Sequence, residues 1–188
     1  MPAAAARRSA NGRAGARRDD ASAAPDALED PENAARLIAL RLLDSQPRTR
    51  AELERALARR GVPGDAATAV LDRFSEVGLV DDEAYAQMLV RSQQAGRGLA
   101  RRALARELRN KGIDPELAAE TLDGIDDESE RERARGLVAK KLRSMHGLGA
   151  EVQTRRLAGM LARKGYSSTT SFAVIREAIA DAPEHQPD

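Results

Sequence analysis

Residues 99–113 read LARRALARELRNKGI, and this stretch decides the fold because its pattern occurs once before it and once after it. Leu104 and Leu108 lie one helical turn apart, and Lys111-Gly112-Ile113 closes the segment with a cation, a left-handed cap and an apolar residue that folds back. The other copies are Leu53, Leu57, Arg60-Gly61-Val62 and Leu157, Leu161, Lys164-Gly165-Tyr166. Aligning Gly61, Gly112 and Gly165 gives periods of 51 and 53 residues, with aliphatic residues ten positions after each glycine at Leu71, Leu122 and Ile175. The chain of 188 residues is therefore read as three degenerate repeats in tandem, each leaning on its neighbour.

Composition sets the class. Aromatic residues are 2% of the chain and charged residues 32%, so Leu, Ala, Val and Ile must fill three thin cores around Phe74, Tyr85, Tyr166 and Phe172. Alanine, leucine, arginine and glutamate dominate and β-branched alternation is scarce, which predicts an all-α protein. With no cysteine there are no disulfides or thiolate metal sites, and no apolar run approaches the roughly 20 residues that span a bilayer. The expected location is the cytoplasm and the expected state a monomer.

Residues 1–30 carry Arg7, Arg8, Arg13, Arg17 and Arg18 ahead of a run of acids, in no helical period, and are expected to be a disordered tail. Repeat one is assigned to 31–80. Asp30-Pro31 opens its first helix, which carries the aliphatic run Leu37, Ile38, Leu40, Leu42 and Leu43. Thr49-x-x-Glu52 is a capping box for the second helix, and Ala67, Val70, Leu71 and Phe74 mark the inner face of the third. Repeat two, 81–127, begins at Asp81-Asp82 with Tyr85, Met88, Leu89 and Ser92 on one face, and Gly96 and Gly98 are expected to stop that helix. Asp114-Pro115 starts its last helix. Repeat three, 128–181, opens on Ser129-x-x-Glu132, read as another capping box, and ends with a helix placing Phe172, Ile175 and Ile179 inward. Residues 182–188 are expected to fray. The product is an elongated, curved stack of three-helix, helix-turn-helix-like units.

Net charge is only +1, so distribution matters more than sum. Between Arg91 and Lys111 stand Arg91, Arg97, Arg101, Arg102, Arg106, Arg109 and Lys111 against Glu107 alone, whereas Asp114 to Glu130 holds eight acids and no base. With Leu104 and Leu108 inward, Arg102, Arg106 and Arg109 fall on the opposite side of the helix. The equivalent positions are Ala51, Arg55 and Ala58 in repeat one, and Arg155, Gly159 and Ala162 in repeat three. A second outward set, Arg133, Lys140 and Arg143, is expected on the first helix of repeat three. Like charges packed this closely repel without a partner, so the clustered set is read as a surface for an anion.

Catalytic chemistry is missing. The chain has no GxxxxGK phosphate loop, and Gly147-x-Gly149 lacks the preceding strand of a dinucleotide fingerprint. Its two histidines, His146 and His185, do not form a metal pair, and the acid pairs Asp81-Asp82 and Asp126-Asp127 sit where helix capping accounts for them. The expectation is a non-enzyme with no cofactor and no metal.

The segment GLVDDEAYAQMLVRSQQAGRG, Gly78 to Gly98, followed by LARELRNKGID, Leu104 to Asp114, resembles the RecX family of recombination regulators. The resemblance rests on the GLVDD-x-x-YA entry to repeat two, the Arg91-Ser92 pair, the glycine-broken link and the L-x-x-KG-[IV] close, and it covers about Asn33 to Ala180. It implies a regulator of recombination and DNA repair that binds the RecA filament on DNA and limits filament growth, strand exchange and ATP hydrolysis. The basic surface, from Arg91 through Arg155, would meet RecA, DNA or both, with single- and double-stranded DNA bound weakly and without sequence preference. The competing reading is a helix-turn-helix transcription factor. Against it, the middle helix offers arginines but no Asn or Gln set for base edges, and no wing hairpin is visible.

Overall fold

A computed structural model of the chain describes residues 30–181. The expected disordered tail up to residue 29, the expected frayed end at 182–188 and His185 lie outside the described residues. Among the described residues there are nine helices and no strand: α1 (Pro31–Ser45), α2 (Arg50–Ala58), α3 (Gly64–Glu76), α4 (Asp82–Arg97), α5 (Arg101–Lys111), α6 (Pro115–Asp123), α7 (Asp127–Leu142), α8 (Ala150–Arg163) and α9 (Ser168–Ala180).

Short polar side chains start most of them, satisfying backbone N–H groups that the first turn leaves without partners. Asp30 accepts from the Asn33 N–H at 2.9 Å, and Asp114 accepts from Glu116 at 2.8 Å, each just ahead of a proline at the first helical position. Thr49 and Glu52 form the reciprocal capping box at 3.1 and 3.3 Å. One start differs from the sequence reading. The Asp126 carboxylate, not Ser129, caps α7; it accepts from both the N–H and the hydroxyl of Ser129, at 2.7 and 2.6 Å, so the acidic link forms the first helical turn. The acids Asp127, Glu128 and Glu130 then complement the positive end of the helix dipole.

The three aligned glycines end the second helix of each repeat in the same way. Gly61, Gly112 and Gly165 have φ of 75°, 80° and 91°. In each case the glycine N–H bonds the carbonyl three residues back, and the next N–H bonds the carbonyl five back: Val62 to Leu57, Ile113 to Leu108 and Tyr166 to Leu161, at 3.1 to 3.2 Å. This double bond is what a left-handed residue permits, and it tucks Ile113 and Tyr166 into their cores.

Three separate clusters form the interior. The first gathers Ala35, Ala39, Leu53, Leu57, Leu71 and Phe74 from α1–α3; the second gathers Tyr85, Ala86, Val90, Leu104, Leu108 and Leu122 from α4–α6. The third is built on Ala134, Val138, Leu157, Leu161, Val174 and Ile175 from α7–α9. The size of a side chain does not decide which face is buried. On α1 the fully buried positions are Ala35 and Ala39, while Leu37 stays 56% exposed and Leu40 is exposed too, because alanines let α1 approach its neighbours closely. On α4 the buried stripe is Tyr85, Ala86 and Val90, leaving Met88 and Ser92 outside, and Gly96 is helical with only Gly98 acting as the stop. On α9, Ser171, Val174 and Ile175 turn inward and Phe172 is 52% exposed, against the expectation.

Consecutive repeats are joined by one recurring device: the first turn of a second helix meets the last turn of the next repeat's second helix. At the first joint the Thr49 hydroxyl donates to the Lys111 carbonyl at 2.7 Å, the Arg50 N–H donates to Asp82 at 2.9 Å, and Lys111 pairs with Glu52 at 2.7 Å while lying over the Tyr85 ring. At the second joint the Ala100 N–H donates to the Lys164 carbonyl at 2.9 Å, and the Arg101 N–H donates to Glu130 at 2.9 Å. Thr49 and Ala100 occupy the same place in their repeats, as do Lys111 and Lys164. Joining a positive helix start to a negative helix end is favourable for both dipoles. The approach is close: a Cβ on Gly112 would stand 2.4 Å from Ala51 Cβ, and one on Gly165 would stand 2.5 Å from the Ala103 backbone nitrogen.

Candidate functional site

The second joint places the basic stripe. With Ala103, Leu104 and Leu108 buried, Arg102, Arg106 and Arg109 project from the far side of α5 and are exposed. The Gly165 contact draws the α8–α9 turn onto the start of α5. The three arginines and the third repeat thus enclose a groove of about 720 Å³. Ala158, Gly159 and Ala162 of α8 give it a floor of small side chains, and Tyr166, Ser171 and Phe172 form its other wall.

None of the three arginines makes an ion pair or a side-chain hydrogen bond among the described residues. Three unneutralised guanidinium groups at i, i+4 and i+7 repel one another, a cost that an anionic partner removes. The Tyr166 hydroxyl donates to the Gly98 carbonyl at 3.1 Å, and burial pushes its phenol up to about 12, so it remains a neutral hydrogen-bond donor. Ser171 lines the groove but is 4% exposed, and its hydroxyl is shielded from solvent with no hydrogen-bond partner.

The remaining cations of the sequence-derived surface are placed differently. Arg101 and Lys111, at the two ends of α5, are spent on the joints: Arg101 bonds the Ile125 carbonyl and pairs with Asp127 at 3.0 Å, and Lys111 pairs with Glu52. Arg97 pairs with Glu107 at 2.9 Å, and its carbonyl receives the Lys164 ammonium. Arg133 is half-buried with its Nε shielded from solvent, so it does not belong to an outward set. Arg91, Lys140, Arg143 and Arg155 are exposed. Arg155 shares the face of α8 that carries Gly159 and Ala162 but does not line the groove.

Sequence reasoning missed the third-repeat wall. Phe172 stands three and seven residues before Ile175 and Ile179, a helical spacing that predicts a core position. The smaller Ser171 and Val174, one step around the helix, took the inner position instead. A polar Ser171 beside an aromatic residue was the available signal. The groove offers charge, a ring and a hydroxyl but no nucleophile–base pair, and among the described residues no group of three or more His, Cys, Asp or Glu could hold a metal ion. Nor is any described helix long and apolar enough to cross a membrane.

Comparison with known proteins agrees with the repeat count. The first, second and third three-helix domains of RecX match residues 35–74, 81–122 and 128–179 respectively. A Regulatory protein RecX from Streptomyces coelicolor is 53% identical over 155 residues, covering 82% of this chain and 82% of the relative. A protein of the same name from Thermobifida fusca is 49% identical over 172 residues, covering 92% of this chain and 90% of its own. The crystal structure of RecX from Lactobacillus salivarius superimposes with a TM-score of 0.72 at 23% identity, over 79% of this chain and 97% of that one, which shows the shared fold. Three matched domains in order, and relatives at about half identity over most of their length, place the chain in the RecX family of regulatory proteins.

Proposed function

We propose that this protein is a non-enzymatic regulator of homologous recombination and DNA repair that binds the RecA–DNA filament and limits its growth, ATP hydrolysis and strand exchange. The observation that carries the reading is the set of three unpaired arginines, Arg102, Arg106 and Arg109, on a rigid helix at the edge of a groove between repeats two and three. A helical filament presents the same surface at every subunit, and a stack of repeats with few distant contacts suits a binding surface that extends along such a lattice. Family membership supports the regulatory role. Among the described residues no strand exists from which a winged DNA-reading hairpin could be built, which disfavours the transcription-factor alternative.

The test is a titration of DNA-dependent ATP hydrolysis by RecA. Wild-type protein suppresses it at substoichiometric ratios. Reversing Arg102, Arg106 and Arg109 to Glu abolishes suppression with the melting temperature nearly unchanged, because all three side chains are in solvent. Reversing the exposed Glu116 and Glu120 of α6 to Lys is the matched control and has a much smaller effect. An arginine variant that suppresses as well as wild type would remove the groove from the mechanism.

A further inference from the structure

Phe172 stands on a ridge. On one side lies the arginine groove, and on the other an apolar trough of about 540 Å³ lined by Thr154, Ile175, Arg176, Ile179 and Ala180, with Phe172 common to both. Three arginines on one flank, a mainly aliphatic trough with Arg176 at its edge on the other, and a half-exposed ring between them form a surface of two chemistries. A ligand that covers it must carry both.

Resting on the filament-binding reading, we propose that the groove and trough together hold one acidic, amphipathic polypeptide segment of the partner. Its carboxylates lie along Arg102, Arg106 and Arg109, and a large apolar side chain crosses Phe172 into the trough beside Ile175 and Ile179. Those arginines span about 10 Å of helix at 1.5 Å per residue, close to two turns, which matches three carboxylates spaced one helical turn apart on an opposing helix. The floor of Ala158, Gly159 and Ala162 has almost no side chain, so a polypeptide backbone can come close. A nucleic-acid strand would satisfy the arginines and stack a base on Phe172, yet it has no aliphatic group to fill the trough. Proteins that grip single strands use several rings, and one exposed ring lines this groove.

The experiment places the photo-crosslinker p-benzoylphenylalanine at Phe172 in the full-length protein, assembles it on RecA filaments formed on single-stranded DNA, irradiates, and identifies the adduct by mass spectrometry. The result expected is an adduct within a RecA segment that carries acids one helical turn apart next to a large apolar residue. A synthetic peptide of that segment then binds the wild-type protein, and Phe172→Ala or Arg106→Glu each weakens it by about tenfold or more. Phe172 is 52% exposed, so its variant stays folded with a melting temperature lowered by only a few degrees. An adduct with DNA, an adduct with a basic or wholly polar segment, or no adduct while ATPase suppression persists would overturn the proposal and leave the filament-binding reading standing. Loss of filament binding by the wild-type protein itself would overturn both.

Discussion

Replacing the three equivalent glycines with alanine, one at a time, should produce a graded series rather than three equal losses. Every site is left-handed, so each alanine incurs the Cβ strain of about 1 kcal/mol that glycine avoids. At Gly61 nothing lies within 4 Å of the added Cβ, and strain is the whole effect. At Gly112 the new Cβ would sit 2.4 Å from Ala51 Cβ, so the first joint must open by more than 1 Å to reach ordinary carbon contact at about 3.5 Å. That adds an overpacking cost of about 1–3 kcal/mol, for a total of about 2–4. At Gly165 the obstacle is the Ala103 backbone nitrogen at 2.5 Å, one residue before Leu104, with Ala103 Cβ at 2.7 Å. Backbone in the first turn of α5 cannot step aside without breaking the Ala100–Lys164 bond, so this loss should be the largest. The assay is urea denaturation followed by circular dichroism, with the double variant Ala51→Gly/Gly112→Ala as a test of cause: removing the obstructing methyl should recover the overpacking part and leave the strain. Equal losses at all three sites, or no recovery in the double variant, would refute the close-packed joint.

Two further outcomes follow from the charges. Burial acts to raise the Glu52 carboxyl, and the Lys111 ammonium, the Thr49 N–H and neighbouring cations together outweigh it and hold the group below its ordinary value of 4.5. Its contribution to the first joint, about 1 kcal/mol, is thus full above that value and is lost as pH falls through the lowered one; Glu52→Gln should flatten the acid limb of a stability-against-pH curve there. Binding to naked single-stranded DNA should be weak and indifferent to sequence, its log affinity falling by about 0.7 per phosphate contact for each log unit of salt, measured by anisotropy; a strong preference for one duplex sequence would favour a transcription factor.

The repeat was legible because its signals are local. A left-handed glycine cap, an acid before a proline and a capping box each depend on residues within one turn, and those at Gly112, Asp114 and Thr49 formed as read. What did not show in the sequence depends on partners far away in the chain. Arg101 and Arg102 are adjacent and alike, yet one is tied to the Ile125 carbonyl and Asp127 while the other is open to the groove, and only the position of α7 separates them. The acidic run from Asp114 to Glu130 looked like the segregated counterpart of the basic run; instead, two of its members, Asp127 and Glu130, fold back onto Arg101. Face assignments failed where alanine or serine competed with a larger residue, as at Ala86 near Met88 and Ser171 beside Phe172. Periodicity by size favours the large residue, whereas close helix packing favours the small one.

The division of labour along α5 follows from its place in the chain. It is the one second helix with a repeat joint at both ends, Ala100 meeting Lys164 at its start and Lys111 meeting Thr49 at its finish. Cations at those ends are drawn into the joints, where carboxylates of the neighbouring repeats neutralise them. Arg102, Arg106 and Arg109, on the outward face, make no ion pair with either joint among the described residues, which leaves them to the proposed partner. Being fixed at both ends also matters for recognition. On the proposed reading, a charged row on a helix bonded at both ends requires little ordering when a partner arrives, and binding would relieve the repulsion among its arginines. Repeat one has Ala51 and Ala58 at the equivalent places and repeat three has Gly159 and Ala162, so concentrating the arginines in the middle unit sets the charge on the most constrained helix of the stack and uses the bare α8 surface next to it as the floor of the groove.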